Sequence, residues 1–403
     1  MCKSCDQKSE RLTRDGKSRR DFLRSGTIAA AAATPLAASV MNGSASAQTS
    51  GPADLSASNV QAWAAFDENG SFAPHTIPRR AAGAKDVVID IMYSSICHSD
   101  IHTYKGDWGP ANFPLVPGHE IVGRVVGVGA DVVKFREGDI AGVGTIVDSC
   151  GECMNCKADR EQNCLNGTTF TYGSPDKHLG GVTYGGYSKK IVVDEDYVLR
   201  IPPGMDLAGV APMLCAGITT FSPIVHWDLK PGERFGVIGM GGLGHLAVKF
   251  AAAKGAEVVV FTTSEDKLED AKAFGAKEAY LWSDEQAMAS QMASFDLMLA
   301  TVPVAFQMQQ FLSMLKLDKT LVNVGALFPI EGAHGMMMGF GRQSLAGSMT
   351  GGIAETQRVI DFAERHGISA EYELITPDQI GEACKKVVNK QARYRYVIDM
   401  TSA

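Results

Sequence analysis

Apolar and polar positions along the chain follow patterns that predict both strands and helices. Residues 86–91, 233–238 and 258–261 are short, largely apolar runs of the length of a buried strand. Residues 244–254 and 354–366 instead place apolar side chains at helical spacing. The strand at 233–238, the following helix and the strand at 258–261 form a βαβ unit, which is typical of α/β folds with a parallel sheet.

The N-terminal 47 residues differ from the rest of the chain in charge and pattern. They carry +4, whereas residues 48–403 carry −11 of the total net charge of −7. Arg19-Arg20 before Phe22-Leu23, an alanine-rich stretch and Ala45-Ser46-Ala47 follow in the order of an export signal of the twin-arginine class. We expect residues 1–47 to be a signal peptide read by the twin-arginine export machinery. The mature chain would then be periplasmic or otherwise exported. A membrane-anchoring N-terminal helix and a cytoplasmic location are the alternatives.

Composition narrows the class of protein. Apolar residues make up 45% and charged residues 21% of the 403 positions, which is an ordinary globular balance sufficient for two or three domains. An acidic body has no electrostatic attraction for a phosphate backbone, so we expect no nucleic-acid partner. No strongly apolar run reaches 18 residues, so we expect no membrane span in the mature chain.

Four cysteines form a closely spaced group. Cys150, Cys153, Cys156 and Cys164 follow the pattern C-x2-C-x2-C-x7-C. Four thiolates at such short spacing favour a structural zinc ion in a closed tetrahedral site. Two short disulfides are the alternative, and an iron–sulfur cluster of the ferredoxin type is disfavoured because its fourth cysteine has a different spacing.

A second set of metal ligands is spread along the chain. Cys97 lies in Ser95-Ile96-Cys97-His98-Ser99-Asp100, His119 in Pro117-Gly118-His119-Glu120, and Cys215 much further on. Two cysteines and one histidine are the ligand set of a catalytic zinc ion whose fourth position is open to substrate. Each of these residues alone is weak evidence for a metal site, because a single buried cysteine or histidine is more often structural.

The βαβ unit contains a nucleotide-binding turn. Gly239-Met240-Gly241-Gly242-Leu243-Gly244 has the pattern G-x-G-x-x-G between strand and helix, where backbone N–H groups can approach a pyrophosphate. At the end of the next strand, Thr263 and Ser264 are followed by Lys267, which favours the 2′-phosphate of NADP. Glu265 and Asp266 leave NAD as the alternative, because NAD sites use a carboxylate here.

Together these stretches resemble the zinc-dependent medium-chain alcohol dehydrogenases, and within them the cinnamyl alcohol dehydrogenase branch with its bacterial aldehyde reductases. The resemblance implies an α/β fold with a GroES-like β-barrel catalytic domain at 48–213 and a doubly wound Rossmann domain at 214–349. Residues 350–403 would return to the catalytic domain. It also implies a homodimer that pairs around residues 344–350. The matching stretches are 97–102, 118–120, 150–164, 214–219, 239–245, 301–303 and 393–399.

The resemblance also implies roles for individual residues. Ser99 would relay a proton through the cofactor ribose and His102 would pass it to solvent, while Asp100 orients His119 and Glu120 neighbours the metal. His98 and Arg395 would contact the cofactor phosphates, with Arg393 an equally near match for the second. Trp108, Phe113 and Leu327 are expected to line the substrate pocket. The remaining cofactor-binding residues would be Thr219, Gly239, Gly241, Gly242, Leu243, Gly244, Thr263, Ser264, Lys267, Thr301, Val324, Gly325 and Ser348.

We therefore expect an NADP(H)-dependent enzyme with one catalytic and one structural zinc ion, which interconverts primary alcohols and aldehydes and favours reduction of aromatic or medium-chain aldehydes. An NAD-linked dehydrogenase of secondary alcohols or polyols is one alternative. An exported zinc- and nucleotide-binding protein without turnover is another. A metal-free quinone reductase is disfavoured, because the zinc ligands are retained.

Overall fold

The computed structural model describes residues 54–325, 329–330 and 332–402. The predicted signal peptide at 1–47 and the predicted pocket residue Leu327 lie outside the described residues.

Strands and helices alternate over most of the described chain. The strands are β1 (Ser58–Ala65), β2 (Phe72–Arg79), β3 (Asp86–Ser95), β4 (Ile121–Val128), β5 (Ile140–Val143), β6 (Ile146–Asp148), β7 (Thr169–Phe170), β8 (Lys190–Asp194), β9 (Leu199–Arg200), β10 (Arg234–Ile238), β11 (Glu257–Thr262), β12 (Glu278–Leu281), β13 (Phe295–Ala300), β14 (Leu315–Asn323), β15 (Ser344–Gly347), β16 (Tyr372–Ile375) and β17 (Arg395–Asp399). The helices are α1 (His98–Lys105), α2 (Leu207–Val210), α3 (Ala216–His226), α4 (Gly244–Ala253), α5 (Leu268–Ala273), α6 (Glu285–Ser290), α7 (Met308–Leu312), α8 (Gly335–Gly341), α9 (Ile353–His366) and α10 (Ile380–Val388).

One sheet is parallel and has the strand order β12-β11-β10-β13-β14-β15 among the described residues. Its central strands are almost wholly buried, because helices pack on both faces, which explains the uninterrupted apolar run Val258–Phe261 in β11. The strand order reverses between β10 and β13, and such a switch point opens a crevice at the carboxyl ends of the strands. The predicted doubly wound sheet is confirmed.

A second, largely antiparallel sheet surrounds β3. In the described residues its order is β16-β17-β3-β4-β5-β9, and β8 also pairs with β3. Strand β17 lies antiparallel to the end of β3, with Val397 opposite Ser95. The C-terminal segment thus returns to the sheet that precedes the predicted metal ligands, although the predicted domain bounds themselves stay a prediction.

The helices lie mainly around the parallel sheet. Helix α9 has an apolar face that contributes Val359 and Ala363 to the buried core, and it ends at Gly367 with φ +61°. Within the described residues, no single helix has the length and apolar character needed to cross a membrane. By length and composition alone, the bent pair Leu207–Leu214 and Ala216–His226, with 58° between its parts, meets that requirement.

Candidate active site

A cavity of about 1010 Å³ lies at the carboxyl ends of the parallel strands. Residues from the start of α1, the glycine turn after β10 and the ends of β11 and β13 form its wall. Pockets for small molecules typically enclose about 300–1,000 Å³. The volume is therefore sufficient for a large cofactor and a small substrate together.

The glycine turn leaves room for a ligand on one side and is tightly packed on the other. Gly239 has φ +97°, and a Cβ atom on Gly244 would lie 2.1 Å from the Gly239 carbonyl oxygen. At Gly241, by contrast, a Cβ atom would meet no described heavy atom within 4 Å. Because this open side faces the cavity at the start of α4, the turn fits a pyrophosphate held by backbone N–H groups.

The first group of metal-ligating side chains lies at the bottom of this cavity. One ligand atom from each of Cys97, His119, Glu120 and Cys215 lies within 4.8 Å of the others, and all four residues are buried. The Cys97 and Cys215 sulfurs are 4.0 Å apart, close to the roughly 3.8 Å expected for two thiolates on one tetrahedral zinc ion. Both cysteines are also N-cap residues, of α1 and α3, where the helix dipole favours a thiolate.

Asp100 connects two of these ligands, Cys97 and His119, through its carboxylate. Its fully buried carboxylate accepts hydrogen bonds from the N–H groups of Cys97 (2.9 Å) and Gly118 (3.2 Å) and from the hydroxyl of Tyr187 (3.0 Å). The carboxylate also lies 3.1 Å from Nδ1 of His119. A carboxylate on Nδ1 places the proton there and leaves Nε2 free to bind a metal ion.

Glu120 is part of the same group but both of its oxygens have protein partners. Oε2 forms an ion pair with Arg395, and Oε1 accepts a hydrogen bond from the N–H of Ala216 at 3.3 Å. Nη2 of Arg395 also donates to the carbonyl oxygen of Ile96 at 2.8 Å. The Arg395 side chain passes beside the glycine turn, 2.9 Å from where a Cβ atom on Gly242 would lie. The predicted phosphate contact of Arg395 stays a prediction.

The four-cysteine loop forms a second, separate group. One sulfur from each of Cys150, Cys153, Cys156 and Cys164 lies within 4.8 Å of the others. The Cys153 and Cys156 sulfurs are 3.5 Å apart, far longer than the roughly 2.05 Å of a disulfide. The N–H groups of Cys156 and Leu165 point at the Cys153 sulfur and lower the pKa of its thiol to about 6. The group therefore fits a structural zinc ion held by thiolates.

Replacing Cys153 by serine is expected to remove this zinc ion and to destabilise the protein by at least about 3 kcal/mol, because binding energy of a structural metal is folding energy. Metal analysis should give one zinc ion per chain instead of two, and thermal unfolding should begin at a lower temperature. Met154→Ser, an exposed position in the same loop, is the matched control and should keep both ions. Two bound zinc ions in the Cys153→Ser variant would contradict the assignment.

Helix α1 brings the predicted proton-relay residues, Ser99 and His102, to the cavity wall. Ser99 Oγ lies 3.6 Å from the Cys97 sulfur, and His102 Nδ1 lies 2.7 Å from a carboxylate oxygen of Asp107. The His98 ring is 5.8 Å from that of His102, and burial lowers the pKa of His98 to about 4, so that its imidazole is neutral at pH 7. The side chains of α1 that were assigned roles thus follow the metal ligand Cys97 within the first two turns of the helix.

The residues after β11 differ in whether they face the cavity, and this settles the position of the acidic residues Glu265 and Asp266. Thr263, Ser264 and Lys267 line the cavity, whereas Glu265 and Asp266 do not. Lys267 is only 7% exposed, and no described carboxylate lies within ion-pair distance of its Nζ atom, which is instead 5.6 Å from the centre of the Tyr394 ring. A buried ammonium without a carboxylate partner points to an anionic ligand in the cavity.

Other predicted residues divide into two groups. Trp108, Thr219, Thr301, Val324 and Gly325 line the cavity. Phe113 and Ser348 do not line it, and their roles stay predictions. The Phe113 side chain is 39% exposed in the loop after α1, and the Ser348 N–H is bonded to the Asn323 carbonyl oxygen at the end of the β14–β15 pairing.

Several aromatic residues of the cavity escaped sequence analysis. Tyr172 lies with its ring 5.7 Å from that of His119, and Trp282 and Phe306 line the wall with ring centres 5.7 Å apart. Tyr172 lies in a bend just after the two-residue strand β7, so nothing local in the sequence marks it. Trp282 directly follows β12, and its place after a strand of the parallel sheet was the one available indication.

Comparison with known proteins agrees with this geometry. Residues 83–203 match the alcohol dehydrogenase GroES-like domain and residues 242–365 match the zinc-binding dehydrogenase domain. The chain is 49% identical to NADP-dependent alcohol dehydrogenase C 1 of Mycolicibacterium smegmatis, over 86% of this chain and 99% of that protein. It is 47% identical to aldehyde reductase YahK of Escherichia coli, over 84% and 98%.

A solved structure shows the same fold. CAD from Helicobacter pylori, crystallised in complex with NADP(H), is 38% identical, with a TM-score of 0.81 over 86% of this chain and 99% of that one. The predicted GroES-like and Rossmann architecture is confirmed. The chain belongs to the zinc-dependent medium-chain alcohol dehydrogenase family.

Proposed function

We propose that this protein is a zinc-dependent NADP(H) oxidoreductase that interconverts primary alcohols and aldehydes and favours reduction of aromatic or medium-chain aldehydes. The observation that carries the proposal is a single cavity containing the Cys97–His119–Cys215 group, the open glycine turn and the unpaired Lys267. The relatives named as NADP-dependent alcohol dehydrogenase and aldehyde reductase support the same reaction.

In this reaction zinc supplies Lewis-acid polarisation of the carbonyl oxygen and NADPH supplies the hydride. Cys97, His119 and Cys215 would hold the zinc ion, and the Asp100 carboxylate keeps His119 in the tautomer that can bind it. The ion pair between Glu120 and Arg395 keeps the buried carboxylate of this group compensated inside the protein. The chain's contribution is thus to orient the ligands at the bottom of the cavity.

Reduction also consumes one proton, which must reach the product oxygen from solvent. Ser99 is the hydroxyl nearest to a metal ligand on the cavity wall, at 3.6 Å from the Cys97 sulfur. His102, one turn further along α1, contacts the partly exposed Asp107 at 2.7 Å. We assign Ser99 as the proton donor to substrate and His102 as the group that exchanges the proton with solvent.

Aromatic side chains border the metal group and favour an aromatic substrate. The Tyr172 ring is 5.7 Å from His119 and the Trp108 ring is 5.1 Å from His102. Flat apolar faces at this spacing can stack on the ring or alkyl chain of an aldehyde. A polyol would find few hydrogen-bond partners on these faces.

A substrate panel tests this function. Initial rates with NADPH are compared for cinnamaldehyde, hexanal, acetone and fructose, the last two yielding a secondary alcohol and a polyol. The proposal predicts kcat/KM for both aldehydes above that for both ketones by at least about 100-fold, since buried polar groups left unpaired are heavily penalised. Faster turnover of fructose would favour the polyol dehydrogenase alternative, to which the name of one relative, a mannitol dehydrogenase of Fragaria ananassa, corresponds.

The protein is proposed to form a homodimer through β15. This strand is the last of the parallel sheet in the described chain, so one of its edges can pair with a second copy. The preceding helix α8 carries Met336 (63% exposed) and Phe340 (77% exposed), which are unusually apolar for a free surface.

Phe340→Glu is accordingly expected to weaken the dimer by at least about tenfold, because a charge would be buried at the apolar interface. Light scattering after size-exclusion chromatography at several concentrations measures the effect. Met292→Glu, at a position 51% exposed and outside α8 and β15, should leave the dimer intact. A wild-type monomer at all concentrations would sink the dimer proposal.

Twin-arginine export is proposed for the full chain on the basis of residues 18–24 and 45–47 alone. Replacing Arg19 and Arg20 together by lysine is expected to abolish appearance of the protein outside the cytoplasm, because the machinery reads the arginine pair. Cell fractionation of a bacterial host with this pathway measures it. The matched control is the Arg11→Lys/Arg14→Lys variant, which keeps the pair. If the wild type and both variants were all found in the cytoplasm, this result would favour the cytoplasmic alternative.

A further inference from the structure

The wall that would hold the 2′-phosphate lies next to a concentration of acidic side chains. Ser264 and Lys267 line the cavity, while Asp266 directly precedes Lys267 and Asp270 lies in the first turn of α5. Uncompensated carboxylates at this place would repel a phosphate with a charge close to −2 and would attract Lys267 away from it.

The C-terminal segment binds these acids from outside the cavity and compensates part of their negative charge. One guanidinium nitrogen of Arg393 forms an ion pair with Asp266, and the other lies 3.5 Å from Asp270. The Tyr394 hydroxyl donates to the same Asp270 carboxylate at 2.6 Å. Arg393 thus binds both acids, and the next residue, Tyr394, binds Asp270. Both residues belong to the segment that leads into β17.

Lys267 lines the cavity without a described carboxylate partner, and the other described lysines and arginines of the wall are Lys105, Lys390 and Arg395. The Nζ atom of Lys267 lies 5.6 Å from the centre of the Tyr394 ring, a neutral partner that leaves its N–H groups available. Neither Arg393 nor the two acids line the cavity. Arg393 can therefore act on a nucleotide only through the acids it compensates.

The position of this segment is itself held by the nucleotide domain. Tyr394 stacks on His245, with ring centres 5.2 Å apart and 18° between the planes. Nδ1 of His245 lies 3.2 Å from the Gly241 carbonyl oxygen of the glycine turn, and its Nε2 accepts a hydrogen bond from the N–H of Glu371. Residues 393–394 are consequently in fixed register with the glycine turn.

From these contacts we propose that Arg393 is a specificity-determining positioning residue, which makes the site selective for a 2′-phosphorylated nucleotide by compensating one unit of the negative charge of Asp266 and Asp270. The inference rests on the proposed NADP preference and names a residue that enforces it. Arg393 is 35% and Asp266 66% exposed, so solvent screens the pair and the effect is moderate.

Equilibrium binding to the full-length zinc-loaded protein tests the proposal, with Kd for NADPH and for NADH measured by nucleotide fluorescence. Arg393→Gln should reduce the ratio of the NADH Kd to the NADPH Kd about tenfold, mostly through weaker NADPH binding, since about one unit of negative charge becomes uncompensated near the phosphate. Arg393→Lys should retain at least half of the wild-type ratio. Asp266→Asn alone should leave the ratio at or above the wild-type value.

The double variant Asp266→Asn/Arg393→Gln separates an indirect role from direct phosphate contact. If Arg393 acts through Asp266, the double variant should regain most of the lost ratio. A double variant as weak as Arg393→Gln, or an Arg393→Gln variant that weakens both nucleotides equally, would overturn the proposal. Lys272→Gln, which removes a cation paired with Glu269 on the same helix but away from the cavity wall, is the matched control and should change the ratio less than about twofold.

The cofactor preference and the role of Arg393 are tested by different outcomes. A wild-type protein that binds NADH as tightly as NADPH would count against the proposed cofactor. A wild-type protein that prefers NADPH, together with an unchanged ratio in Arg393→Gln, would count against the role of Arg393 alone.

Discussion

Replacing Cys97 by serine is expected to lower kcat/KM for aldehyde reduction by at least about 10³-fold, because Lewis-acid activation supplies several kcal/mol and each 1.36 kcal/mol is a factor of ten in rate. The Cys97 sulfur lies 4.0 Å from the Cys215 sulfur at the bottom of the cavity. No third described cysteine lines the cavity, so no other described thiol can take the place of Cys97. Metal analysis should show one zinc ion per chain, the one in the four-cysteine group. Initial rates with NADPH and cinnamaldehyde measure the loss.

Cys384→Ser is the matched control for this experiment. Cys384 is a buried thiol of α10 that belongs to neither metal group and does not line the cavity. It should keep both zinc ions and nearly full activity. If Cys97→Ser lost one zinc ion and still retained more than about a tenth of the wild-type rate, zinc would not be the Lewis acid of the reaction.

Replacing Lys267 by methionine is expected to raise the Kd for NADPH about 10- to 100-fold and to change that for NADH less than about threefold. A hydrogen bond to a charged group contributes about 1.5–3 kcal/mol, and NADH has only a hydroxyl where NADPH has a phosphate. Methionine keeps the packing of the buried stem, which limits the change to the ammonium group. Fluorescence titration with each nucleotide measures both constants.

Lys277→Met serves as the control, because Lys277 pairs with Glu257 at 2.7 Å on the surface and lies outside the cavity wall. Its nucleotide affinities should equal those of the wild type. Equal weakening of NADPH and NADH in Lys267→Met would show that the lysine supports the fold of this wall and does not bind a 2′-phosphate.

Local patterns in the sequence predicted those parts of the molecule that are formed by neighbouring residues. The apolar run in β11, the glycine turn before α4 and the four-cysteine loop each lie within fewer than twenty residues, so spacing alone constrains their geometry. The outward orientation of Glu265 and Asp266 could not be predicted in this way. Asp266 is bound there by Arg393, which comes from the other end of the chain.

The metal group at the bottom of the cavity required more than spacing. Cys97 and Cys215 are 118 positions apart, so the residue types suggested a ligand set and the resemblance to a family supported it, but spacing gave no geometry. The same resemblance gave no reliable guide to loop side chains. Phe113 and Ser348 lie outside the cavity wall and Tyr172, which lines it, was missed, because packing of the loops against α1 and β14 decides which side chains reach the cavity.

The measurement that most directly tests the central claim is the initial rate of cinnamaldehyde reduction by the purified protein with NADPH and with NADH. A kcat/KM with NADPH that exceeds that with NADH by at least about tenfold, and a loss of both rates on removal of zinc, is the predicted result. Equal or faster turnover with NADH would contradict the assignment of Ser264 and Lys267 to a 2′-phosphate, and a rate independent of zinc would contradict the assignment of the Cys97–His119–Cys215 group.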